Sequence, residues 1–163
     1  MRNVLIGALA TLLVPAAHAG EITVSFSEDL TKKITEDYGA REGDYLAEEV
    51  IEEIREGLGD RLDTLGDIHV TFIDAKPNRP TFKELGDRIG LSMQSFGLGG
   101  AKLEAIVYDL DGEEFTTIDY NYFSNEIRES RYKATWSDAR RAINRFVDKL
   151  EDKVEETASD SVG

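Results

Sequence analysis

Side chains able to do acid–base chemistry are abundant in this chain, with 33 Asp and Glu, but their spacing singles out none for a role. His69 sits in the alternating run Ile68-His69-Val70-Thr71-Phe72, on its polar side. A general base needs an oriented partner, and no neighbour in the sequence supplies one. Ser92 and Ser95 are candidate nucleophiles with no base placed beside them. Glu48, Glu49, Glu52, Glu53 and Glu56 invite a metal or acid–base reading, but their spacing puts them on the solvated face of a helix. Asp109-x-Asp111-Gly112-Glu113 resembles a fragment of a calcium loop and lacks the rest of that pattern, whereas Asp-Gly is already a complete turn signal. Gly97-x-Gly99-Gly100 precedes a strand; phosphate-cradling loops follow a strand and open a helix. Cysteine is absent, which excludes thiol catalysis, Cys–metal sites and disulfides. The reading therefore assigns no catalytic residue, no metal ligand and no cofactor.

One segment stands out for binding instead. Residues 76–98 form a loop long for a compact domain, and such loops are often functional. Pro77 and Pro80 stiffen its start. Asn78 and Arg79, between the prolines, are expected to be presented to a partner, and an arginine can grip a carboxylate with two parallel hydrogen bonds. Phe82, Met93 and Phe96 complete the candidate partner-binding set, since the loop is too apolar for a free tether. The competing account has Arg79 pairing with a local acid while the loop caps the sheet. Thr81-Phe82-Lys83-Glu84 has the spacing of a capping box, predicting a helical turn at residues 82–85.

The elements that must position this loop follow from hydrophobic periodicity. Residues 21–27 and 68–75 alternate as strands. Residues 101–110 and 113–123 flank Asp111-Gly112 and predict a two-residue hairpin with Leu110 opposite Glu113. That register pairs Val107 with Thr116, Ala105 with Ile118, Leu103 with Tyr120 and Ala101 with Tyr122 on an apolar face, and Tyr108 with Phe115 on the other. Residues 45–58 carry Leu46, Val50, Ile54 and Leu58 four apart, a helix with Asp44 as its cap. Trp136, Ala139, Ile143, Phe146, Leu150 and Val154 predict a second helix capped by Thr135, with Trp136 docked on the sheet. Arg140, Arg141 and Arg145 give its other side a basic cluster. Residues 30–38 read as an extended edge or a loop. The expected fold class is α+β: a two-layer sandwich of a four-stranded, mainly antiparallel sheet with two helices on one face, in the order β-α-β-β-β-α.

The start of the chain has the three parts of a secretory signal peptide: Arg2 in a short polar region, an apolar run over residues 4–14, and Ala17-His18-Ala19. The apolar run is shorter than the roughly twenty residues needed to cross a bilayer. Residues 1–19 are thus expected to be removed, leaving one domain over residues 20–154 and a flexible acidic tail over 155–163, with no transmembrane segment after cleavage. The net charge of −14 opposes binding to phosphate backbones, so nucleic acid is not an expected partner.

Taken together, Asp74-Ala75-Lys76-Pro77-Asn78-Arg79-Pro80-Thr81, Gly97-x-Gly99-Gly100-Ala101, Asp111-Gly112 and Trp136-Ser137-Asp138-Ala139 resemble small exported proteobacterial proteins of unknown function. The expected architecture is similar to periplasmic α/β domains of envelope-assembly accessory proteins, some of them lipoproteins, although this chain has no cysteine for lipid attachment. The resemblance brings no catalytic residue with it; because no site chemistry is assigned, the expected function is an exported, non-enzymatic envelope module that binds a protein or a glycan through residues 76–98 or a sheet edge. The alternative is a small periplasmic hydrolase with an unidentified site.

Overall fold

The computed structural model describes residues 20–160. The expected signal peptide and the last three residues of the chain lie outside them. The sheet has four strands in sequential order, β1 (Ile22–Phe26), β2 (Ile68–Lys76), β3 (Gly100–Tyr108) and β4 (Glu114–Phe123). It is mixed, not mainly antiparallel: β1 runs parallel to β2, while β2–β3 and β3–β4 are antiparallel. The cause is the helical crossover between β1 and β2, which carries the chain back to the end where it began.

That crossover holds more helix than the sequence predicts. α1 (Glu28–Lys33) continues into a π-helical turn over Ile34–Tyr38, where a loop or edge was expected. Ser27 caps α1 by accepting from the Leu30 amide at 3.2 Å, and its hydroxyl donates to the Ile73 carbonyl at 2.7 Å. Leu30, Ile34 and Tyr38, four residues apart, form the buried stripe. α2 (Ala40–Leu58) starts at a Gly39 cap, ahead of Asp44. Gly43 lies inside it because Ile34 packs there: a Cβ on Gly43 would stand 3.1 Å from the Ile34 side chain. A 3-10 turn (Gly59–Thr64) leads into β2. α3 (Phe82–Asp87) and α4 (Ile127–Ser130) are short and lie in the connections flanking the hairpin.

α5 (Ser137–Asp160) is the longest helix, and it persists through Glu155 where a frayed tail was expected. Arg61 holds that end by bonding Glu151 at 3.1 Å and, with its other terminal nitrogen, Glu155. α2 and α5 cover one face of the sheet. Leu46, Val50, Ile54 and Leu58 from α2 and Ile143, Phe146 and Leu150 from α5 meet Ile68, Val70, Phe72, Leu103 and Val107 in one core. The helices approach closely at Gly57, where a Cβ would come within 2.7 Å of Val147. The other face, with Thr23, His69, Glu104 and Asp119, is open.

The hairpin register matches the alternation for seven consecutive pairs, from Ala101↔Tyr122 to Val107↔Thr116. Its turn does not. Asp109 bonds Glu113 across a three-residue loop, Gly112 donates to the Asp109 carbonyl, and only Gly112 has positive φ, at 83°. This is a type I turn followed by a left-handed residue. The Asp109 carboxylate organises it, accepting from the amides of Asp111 and Glu113, both at 2.9 Å. The longer loop shifts the pairing by one, so Tyr108 faces Glu114 rather than Phe115. A bulge at Phe115 removes the shift, because the buried pairs beyond it cannot turn outward without exposing Leu103 and Val107.

Leu103 is fully buried at the centre of this register. Leu103→Ala is expected to cost about 2–5 kcal/mol in chemical denaturation. Glu104→Ala, on the open face, serves as the control and should move the midpoint far less.

Candidate contact surface

Two long connections meet at one end of the sheet: residues 77–99, between β2 and β3, and residues 124–136, between β4 and α5. Neither has a strand to pair with, so their backbone groups need other partners. Asn78 supplies several of them. Its amide N–H donates to the Thr135 carbonyl at 2.6 Å, and its carbonyl accepts from Gly97 at 2.8 Å. Its side-chain oxygen accepts from the Asp138 amide at 2.9 Å while its Nδ2 donates to the Asp138 carboxylate at 2.5 Å and to the Gly97 carbonyl at 3.3 Å. Lys133 closes the set with a 2.7 Å ion pair to the other Asp138 oxygen. Asn78 and Asp138 are 0% and 1% exposed. Gly99 leaves the room this requires, since a Cβ there would collide with the Asn78 amide at 2.6 Å. Gly99 thus serves close packing around Asn78, while Gly100 makes room for Tyr122 and Phe123 of β4.

Arg79 performs the matching task at the surface. Its guanidinium donates to three carbonyls, those of Lys133 at 2.6 Å, Met93 at 3.0 Å and Arg131 at 2.5 Å. The sequence placed Asn78 and Arg79 together as presented contact residues. The structure turns Asn78 fully inward and places the Arg79 donors on backbone carbonyls of this chain rather than on a local acid. Thr81 and Glu84 form the expected capping box, with both reciprocal bonds made, and α3 extends the predicted turn to Asp87.

The apolar members of the set go the other way. Phe82 is 77% exposed, Met93 66% and Phe96 42%; Ile89 is fully exposed at the far side of the same loop. Tyr132, 87% exposed, stands on the second connection between two of the residues whose carbonyls hold Arg79. The sequence signal for Tyr132 is weak: an aromatic residue in a polar stretch. Phe82 and Met93 line a cleft of about 350 Å³ with Pro80, Leu85 and Trp136, rimmed by Arg41, Glu42 and Arg140. Trp136 is buried in the common core at the start of α5, as expected. It lies edge-on to Tyr38 at 5.6 Å and donates from its indole to Glu42 at 2.6 Å. Phe96 lines a second cleft of about 300 Å³ on the opposite side of the loop, beside Tyr38 and Arg88.

The groups singled out for chemistry are spread apart. His69 stands on the open sheet face, edge-on to Tyr108 at 5.1 Å. Ser92 and Ser95 bind the amides of Gln94 and Ser92 within their own turn. β2 runs from His69 to Lys76 before the loop begins, a separation of about 23 Å along the strand. On α2, Glu49 pairs with Arg140 at 2.5 Å, and burial with neighbouring Glu56 and Glu49 raises the Glu53 carboxyl. Among the described residues, no group of three or more His, Cys, Asp or Glu side chains is placed to hold a metal ion. Tyr38 has the largest perturbation at this end: burial, reinforced by Glu84, Asp74 and Asp37, pushes its phenol up to about 12.

No family model matches the chain, and no curated protein does. Among solved structures, the crystal structure of a minor lipoprotein from Acinetobacter baumannii covers 84% of this chain and 93% of its own, at 10% identity and a TM-score of 0.36. A likeness that loose transfers nothing to this chain.

Removing Asn78 strands a buried carboxylate oxygen and a helix amide, whereas removing Arg79 frees carbonyls that water can reach. Asn78→Ala should therefore destabilise by about 2–4 kcal/mol and Arg79→Ala by about 1–3 kcal/mol, with Asn78→Ala the larger, in urea titrations. Tyr38 adds a pH dependence. Its folded pKa lies above the ordinary value of 10.0, so folding favours the protonated phenol. The associated stability is complete below pH 10 and is lost as pH rises toward about 12. Tyr38→Phe should flatten the fall in stability across that window, measured against the parent protein.

Proposed function

We propose that this protein is an exported, non-enzymatic module of the bacterial envelope that binds another envelope protein through the apolar end built from residues 77–99 and 124–136. The observation that carries the reading is the inversion found there. Asn78 is buried and Arg79 bonds three carbonyls at the surface, fastening the two connections together, while Phe82, Met93, Phe96 and Tyr132 on those connections stand in solvent. Large apolar side chains grouped on a fixed surface are a mark of contact sites, and a fixed surface loses little entropy on binding. Export rests on the order of the polar start, apolar run and Ala-x-Ala site in residues 1–19. A protein partner fits better than a glycan because Met93 and Ile89 offer aliphatic surface with few hydrogen-bonding groups. A hydrolase built on a serine and a histidine base would need His69 to serve Ser92 or Ser95, which lie at the far end of β2 from it.

The double variant Phe82→Ala/Met93→Ala tests the surface. Stability should change by no more than about 0.5 kcal/mol, as is usual for surface positions. Partners crosslinked to the parent in envelope preparations should disappear from the double variant. Recovery of the same partners by both proteins, or of none by the parent, would remove the apolar end as the contact surface.

A further inference from the structure

A second surface lies along β4. β4 is one of the two edges of the sheet and the longer one, ten residues against five in β1. The Ser124 amide donates to the Gly99 carbonyl at 2.9 Å, in register with the pairs that run on to Val107↔Thr116. Antiparallel ladders alternate inward- and outward-bonding residues. Thr116, Ile118, Tyr120 and Tyr122 therefore bond to β3, while the N–H and C=O groups of Thr117, Asp119, Asn121 and Phe123 point away from the sheet. All four of these residues are exposed. Natural edges are commonly blunted by lysine, proline or a central bulge. β4 contains neither residue, and its bulge sits at Phe115, leaving 116–123 regular.

On its helix-covered side this edge is flanked by a row of cations, while Asp119 of β4 stands on the open side. α5 packs over β4 and presents Arg141, Arg145 and Lys149, each four residues after the last. The guanidinium groups of Arg141 and Arg145 stand 5.6 and 5.1 Å from the centre of the Tyr122 ring, and the Lys149 ammonium 5.4 Å from that of Tyr120. Among the described residues none of the three forms an ion pair, although Asp148 lies between two of them in sequence and the chain as a whole carries −14. Arg140, one position away, turns across to Glu49 instead. Arg141 and Arg145 share the Tyr122 ring and Lys149 lies over Tyr120, so the row runs alongside two alternate side chains of β4.

We infer that β4 accepts an extended acidic segment of another protein as a fifth strand, with carboxylates on alternate residues facing the row of Arg141, Arg145 and Lys149. The outward backbone groups supply the affinity common to strand addition, and the cation row selects charge. A second copy of this chain is disfavoured as the occupant. Antiparallel pairing of two β4 edges would bring the two α5 helices to the same side and set one cation row against the other.

The probe is a synthetic ten-residue peptide with glutamate alternating with valine, followed by fluorescence anisotropy on the full protein. Binding should weaken with added salt and fall at least tenfold in Arg145→Glu/Lys149→Glu. It should fall as much in Asn121→Pro, which removes an outward N–H without touching the β3 ladder. The same peptide methylated on alternate backbone nitrogens should not bind. In the parent protein, saturating peptide should slow hydrogen exchange at the amides of Thr117, Asp119, Asn121 and Phe123, a readout independent of whether any variant folds. Equal binding of a lysine-for-glutamate peptide, or indifference to the charge reversal, would overturn the role of the cation row. Binding that leaves those four amides unprotected would overturn strand addition. A concentration-dependent dimer abolished by Asn121→Pro would give the edge to a second copy.

Discussion

The reciprocal pair between Asn78 and Asp138 is the constraint on which this end of the molecule depends. A primary amide offers a donor and an acceptor side by side, and Asp138 offers a carboxylate and, at the first turn of α5, an unpaired backbone N–H. The two residues are 60 positions apart, and each satisfies groups of the other that no local partner reaches. Burial makes the arrangement all-or-none, since a half-satisfied polar group away from water costs more than a bond gains. Its requirements spread outward. Gly99 must lack a side chain, Lys133 must balance the Asp138 charge, and α5 must begin where Asp138 can meet the loop. The helix start in turn decides which of its residues face the sheet, so Ile143 and Phe146 reach the core from a position the clasp sets.

The exposure of the loop's apolar side chains has the same origin. The helix-covered face of the sheet is already filled by α2 and α5, leaving no space into which Phe82 or Met93 could pack. Backbone without a ladder must still be satisfied, and Asn78 does this from within while Arg79 does it at the surface. The result is a connection held by polar bonds with apolar side chains on its outside, the reverse of ordinary surface chain. Such a segment is stiff for a different reason from a strand: its hydrogen bonds run from side chain to carbonyl, across two connections at once.

Charge follows an equally local logic on α5. Arg140 lies on the side facing α2 and meets Glu49, while Arg141 and Arg145 lie on the side facing β4 and meet the Tyr122 ring. An aromatic face attracts a cation without neutralising it. A strongly acidic chain thereby keeps one basic row beside an open strand edge. Tyr122 is next to Phe123, where β4 passes into residues 124–136, so the cation row begins close to the apolar end.

Local pattern by itself determined a good part of this protein. Alternation around Asp111-Gly112 named the pairs of β3 and β4 because a period of two admits one buried face, and burial of Leu103 and Val107 restored that register even though the turn was one residue longer than Asp-Gly suggests. The four-residue stripes of α2 and α5 and the Thr81–Glu84 box were equally legible, since each involves residues within one or two turns of each other. Leu30, Ile34 and Tyr38 had helical spacing too, masked by the polar residues between them and by the break at Gly39. What only the tertiary structure decided is where the long-range polar groups go. An asparagine and an arginine between two prolines have the same identity whether they are offered to a partner or bonded to their own chain, and the choice depends on carbonyls of Met93, Arg131 and Lys133 and on Asp138, none of them close to Asn78 and Arg79 in sequence. The parallel placement of β1 is of the same kind: it rests on a helical crossover whose return path is set by packing against the whole sheet, and no residue in β1 encodes it alone.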